Sequence, residues 1–139
     1  MADAETVARQ YFQAITDGDL DTALSKLSED VDFQSPGGPM RGREAVRPFL
    51  GGYISGFPGS RFDISHWVSS GDTVVAEGTW SGTNSGPMLT PQGEMSATGQ
   101  SVALPFVTVL EFQGDQITSH RAYWDQATFM QQLGLMPTQ

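Results

Sequence analysis

Residues 101–124, SVALPFVTVLEFQGDQITSHRAYW, constrain the fold more than any other part of the chain. Two segments with apolar residues at alternate positions flank Gly114-Asp115, the signature of a tight β-hairpin turn. RFDISHWV (61–68) and TVVAEGTWSG (73–82) flank a second such turn at Gly71-Asp72. Four strands of this kind must bury their apolar side against another layer. The residues before 61 supply it, because their apolar spacing is helical. Val7, Ala8, Tyr11, Phe12 and Ile15 form one stripe over residues 3–17. Gly18 ends that helix and Asp19 caps a second, with Leu20, Ala23, Leu24 and Leu27. A third starts at Arg43 with Val46, Phe49, Leu50, Tyr53 and Ile54, and Pro48 should kink it or delay its start.

Three smaller features complete the layout. Val31 to Gln34 reads as a short strand, and SPGGPMRG after it as a loop. Phe129, Met130 and Leu133 predict a short C-terminal helix from Gln126. Residues 83–100, TNSGPMLTPQGEMSATGQ, read as a structureless segment, a mobile flap or lid. Pro105, inside a long strand, calls for a bulge or an edge. The expected fold class is α+β: one domain over 1–139, with three N-terminal helices on one face of a strongly curved antiparallel sheet. Such an arrangement encloses a conical cavity.

Charge and composition narrow the function. Sixteen acidic residues against seven Lys and Arg leave a net charge of −9. That balance argues against nucleic acid and against an anionic membrane surface. With no cysteine, disulfides, thiolate catalysis and Cys-based zinc sites are excluded. Two isolated histidines give no metal-ligand spacing, so neither metal nor organic cofactor is expected. The start, MADAETVARQYF, lacks a basic region and an apolar run, which predicts a cytoplasmic protein.

Several stretches carry a family resemblance. YFQAITDGDLDTAL resembles the N-terminal helix pair of the ketosteroid isomerases. SPGGPMRGREAV is similar to the loop and third-helix entry of their wider superfamily. GDTVVAEGTWSGTNSGP and residues 96–137 look most like the SnoaL-like polyketide cyclases, whose chains often end in a D-x-x-x-L-x-x-Q-L-G type helix. The resemblance implies the cone-shaped fold shared by nuclear transport factor 2, the isomerases and the cyclases. That fold hosts many activities, so function has to be read from the site.

Carried over residue by residue, the resemblance gives an incomplete site. Tyr11 falls where the isomerases place an oxyanion-donating tyrosine, although it also fits the core stripe. Their base falls on Ser35, which is not basic near neutral pH. Their second donor falls on Thr108. The last-strand pattern of cyclases and epoxide hydrolases, laid against HRAYWD, puts its inward Asp on Ala122 and its second Asp on Asp125. Alternation places Thr118, His120, Ala122 and Trp124 on one face, taken as the cavity face unless a bulge swaps it. Asp125 is then a helix cap or an alternative base, and His120 a proton carrier or a wall histidine. Phe33, Phe49, Tyr53, Phe57, Trp80, Phe106 and Trp124 should supply apolar wall, with Met88 and Leu89 closing over it and His66 as a weaker candidate.

The resulting expectation is a cofactor-free acid–base enzyme acting on a hydrophobic, polyketide-like carbonyl compound. A non-catalytic binding or dimerising module is the rival, and epoxide or lactone hydrolysis by Arg121 with carboxylates ranks third. Val107, Val109 and Tyr123 on the opposite sheet face suggest a homodimer.

Overall fold

The computed structural model describes residues 3–90 and 93–135, with the backbone alone described at Leu89 and Thr90. α1 (Ala4–Thr16) and α2 (Leu20–Ser25) form a pair. Asp3 accepts from the Thr6 amide at 2.8 Å and Asp19 from the Thr22 amide at 3.1 Å, so each helix starts on a carboxylate cap. β1 (Leu27–Ser35), β2 (Gly38–Arg41) and α3 (Arg43–Gly56) follow, then β3 (Arg61–Ser70) and β4 (Thr73–Thr83). A small hairpin, β5 (Met88–Thr90) and β6 (Gly93–Met95), precedes β7 (Ser101–Gln113), β8 (Gln116–Tyr123) and α4 (Gln126–Gln132). Gly71 and Gly114 take φ of 58° and 62° at the two turns between long strands, a conformation that favours glycine.

The six long strands form one curved sheet in the order β2-β1-β8-β7-β4-β3. Neighbours are antiparallel except β1 and β8, which run parallel with Phe33 opposite His120. The expected antiparallel meander is therefore closed by one parallel pair. β7 presents Val102, Leu104, Phe106, Thr108, Leu110 and Phe112 to the helices, and all six are buried. Val7, Tyr11, Phe12 and Ile15 of α1 and Val46 and Leu50 of α3 meet them, so the α+β cone is built as its periodicities require.

Four local expectations need correction. SPGGPMRG is not only loop: Ser35↔Gly38 through Asp32↔Arg41 pair as a tight hairpin. β2 is four residues long and holds one partly buried apolar residue, Met40, so it has no alternation to read. Pro48 does not delay α3, which begins at Arg43. Residues 83–100 are not structureless. Besides the small hairpin, buried Asn84 donates to the Gly56 carbonyl (2.9 Å) and accepts from the Thr98 amide (2.8 Å), while Ser55 donates to the Pro87 carbonyl (3.1 Å). These bonds fasten both arms of the segment to α3.

The fourth correction concerns parity. Glu111 pairs with Ser119 but Phe112 with Ile117, so Thr118 is an extra residue in β8. This bulge turns Ile117 inward beside His120 and Ala122 and takes Thr118 off the cavity face. Pro105 occupies an edge: β8 stops pairing at Val107, while β4 continues along the other side of β7. There the Gln132 side chain bonds both the Ala103 amide (2.8 Å) and carbonyl (3.0 Å), in place of a neighbouring strand. Among the described residues, no helix is long and apolar enough to cross a membrane.

Candidate active site

The cavity lies between α1, α3, α4 and the concave face of the sheet, with about 90 Å³ of free space. That exceeds the about 10–15 Å³ needed for one water. Its wall is almost wholly apolar and aromatic, and among the described residues no Asp, Glu, Lys or Arg lines it. Among the residues anticipated from sequence, Phe33, Phe49, Tyr53, Trp80, Phe106, Thr108, His120, Ala122 and Trp124 do line it. Phe12, Ile15, Leu50, Ile54, Ser60, Phe62, Leu104 and Phe129 complete the wall. Most of these stand on the same helical and strand stripes that marked the core. Ser60 had no signal, because it ends a turn between α3 and β3.

His120 is the chemical centre of this wall. β8 carries it inward, and the parallel pairing with β1 stacks its ring on Phe33, centroids 4.1 Å apart and planes 21° apart. From α1, the Tyr11 hydroxyl meets His120 Nδ1 at 3.0 Å. Tyr11 is fully buried, and burial pushes its phenol upward, so it keeps its proton. Its hydroxyl has no other side-chain partner among the described residues, so it donates to Nδ1. The imidazole proton then sits on Nε2, which has no protein partner among the described residues. Burial also disfavours the imidazolium and pushes His120 down to about 3. At neutral pH the ring is an uncharged donor facing an apolar space. The sequence allows a proton carrier or a wall histidine here, and desolvation lowers the basicity on which the first role draws.

Other polar groups at the cavity are sparse. Thr108 and Ser60 are buried residues whose hydroxyls make no side-chain hydrogen bond among the described residues, whereas Trp124 Nε1 donates to Gln126 at 2.8 Å. Thr108 is opposite Ala122 in the β7–β8 register, so a methyl group occupies the place where the resemblance expects a carboxylate.

Six expected site residues are placed elsewhere. Tyr11 lies behind His120, not at the cavity, and can act only through that ring. Ser35 closes the β1–β2 turn, accepting from the Gly37 amide at 3.2 Å. Met88 packs over Gly56 at the end of α3, and the side chain of Leu89 lies outside the described residues. His66 is exposed on β3 beside Glu77 (3.1 Å), where an irregularity between Ile64 and His66 shifts the register. Asp125 is exposed and caps α4, accepting from the Thr128 amide at 3.2 Å, and this bond holds its carboxyl below the usual range. Asp125→Asn keeps an acceptor and should leave the thermal midpoint unchanged. Asp125→Ala should lower it, with ligand binding intact in both; calorimetry checks each. Phe57, expected in the wall, is buried core instead.

Comparison with known proteins agrees with this layout. The family model for the SnoaL-like domain matches residues 8–120, from the first turns of α1 to His120 itself. The chain belongs to the SnoaL-like family. The structure is similar to that of a protein from Jannaschia sp. CCS1 described as a SnoaL-like polyketide cyclase, with TM-score 0.82 and 21% identity over 96% of this chain and 93% of that one. It is also similar to AclR of Streptomyces galilaeus, described as a hydroxylase (TM-score 0.81, 20% identity, 99% and 89% covered). A third is a Catenulispora acidiphila protein with a ketosteroid isomerase-like fold, solved with trimethylamine (0.75, 21%, 94% and 93%). At these identities the likeness concerns the fold of the SnoaL-like chain. No curated protein matches it.

Proposed function

We propose that this SnoaL-like domain is a small-molecule enzyme that binds an apolar, polyketide-like carbonyl compound and promotes an aldol-type cyclisation or isomerisation without a cofactor. The carrying observation is the neutral Tyr11–His120 pair at the wall of an apolar cavity. Nε2–H donates to the carbonyl oxygen and strengthens that bond as negative charge develops, an effect enlarged where water is excluded. Among the described residues no lining side chain is a base near neutral pH, so the carbon acid must be acidic enough to lose its proton to water, as a β-dicarbonyl is. The cavity has room for that water. A homodimer through the outer sheet face is part of the proposal: Tyr123 there is 52% exposed, beside half-buried Val107 and Val109.

One observation favours a second reading, a non-catalytic binding domain: Ala122 stands where a carboxylate is expected. Epoxide or lactone hydrolysis has less support, because Arg121 points to the opposite face and pairs with Glu111 and Ser119.

The test is deuterium exchange at the α-carbon of ethyl acetoacetate in D₂O, followed by NMR. The wild type should accelerate exchange at least about tenfold over buffer, equivalent to about 1.4 kcal/mol of barrier. His120→Phe, which keeps a ring in the stack, should remove most of that acceleration. Saturable binding of the ester without acceleration would establish the binding-domain reading instead.

A further inference from the structure

We infer that the cavity selects one molecule of at most a single six-membered ring bearing an uncharged hydrogen-bond acceptor, and excludes carboxylate and fused-ring relatives. This rests on the proposed reading of the cavity as the ligand site and narrows its substrate class.

Size is the first argument. About 90 Å³ is less than the about 150 Å³ of an apolar cavity that accepts benzene, so one ring is the upper limit. The surrounding wall resists enlargement. Phe12 packs edge-on to Phe62 at 5.0 Å, Phe57 to Trp80 at 4.9 Å and Phe33 to Phe49 at 5.3 Å, so widening one side displaces rings already in contact. The segment that could have swung open as a lid is fastened to α3 through Asn84 and Ser55.

Charge is the second argument. An anionic ligand needs a buried cation, and among the described residues no Lys or Arg lines the wall. What it offers is a neutral donor at His120 Nε2 and the hydroxyls of Thr108 and Ser60. These groups can pair with one carbonyl oxygen, whereas a carboxylate beside them would lose its hydration with no cation to replace it.

The experiment is isothermal titration of the wild-type protein with cyclohexanone, cyclohexanecarboxylate and 1-decalone at pH 7. Cyclohexanone should bind with one-to-one stoichiometry, and the carboxylate and the fused ketone at least about 100-fold more weakly. His120→Phe, checked for folding by circular dichroism, should weaken cyclohexanone about 5- to 10-fold, the loss of one neutral hydrogen bond. Decalone or the carboxylate binding within tenfold of cyclohexanone would overturn the size or charge selection while leaving the cavity a ligand site. Failure of all three to bind would overturn the underlying reading as well.

Discussion

Acidification from pH 6.5 to pH 4 should cost this protein about 3 kcal/mol of stability, mostly through His120. The folded protein keeps that ring neutral down to about 3, whereas in the unfolded chain it charges near its ordinary 6.5. Between those values the unfolded state holds the extra proton, so lowering the pH favours unfolding, at a slope approaching about 1.4 kcal/mol per pH unit. Above 6.5 both states are neutral and the contribution is fully present. The carboxylates at helix starts, Asp3, Asp19 and Asp125, are held below their ordinary 3.8 by backbone amides. Their contribution is intact above about pH 5 and fades below it, so the part of the range from 6.5 to 5 isolates the histidine. Urea denaturation at half-unit intervals measures the slope. His120→Phe should flatten it, and a wild-type profile already flat across that window would mean the ring is hydrated or charged.

Phe33→Ala should be the most damaging single truncation at the site, costing about 3–5 kcal/mol. Phe33 is 2% exposed, stacks on His120 and meets Phe49 at its other side. Its removal also admits water beside the imidazole, which lets the pKa return toward 6.5. The folded and unfolded values then approach each other, less proton is taken up on unfolding, and the acid slope shrinks. Denaturation of the variant at pH 7 gives the first quantity and its pH series the second. A variant within about 1 kcal/mol of wild type, or one retaining the full slope, would remove Phe33 as the support of the neutral ring.

Much of this architecture was legible in residue spacing. The four long strands, their two glycine turns, the helical stripes and the Asp19 cap all follow from period and turn chemistry, as does the aromatic wall. Ala122 as the inward position of the last strand was legible too, because alternation carries over from a resemblance. What escaped was set by contacts between distant segments. Thr118 left the cavity face because a bulge inserts one residue, which leaves no mark in composition. Ser35 looked like a pocket residue by analogy, but its hydroxyl satisfies a turn amide two residues on. His120 stood out as a side chain, but its proton affinity was not legible, since that depends on burial by α1 and β1, residues far away in sequence.

The parallel pairing of β1 with β8 has a further consequence, in the order in which the molecule can assemble. Tyr11 and His120 are 109 positions apart, and Phe33 meets His120 across strands from opposite ends of the fold. Contacts of such long range carry a loop-closure penalty until the intervening sheet has formed, and chains dominated by them fold slowly. The chemical group and both of its supports are thus united only at the last closure of the chain. A partly folded intermediate can contain every helix and the β3–β4 hairpin and still lack the site, so ligand binding reports complete folding rather than secondary structure.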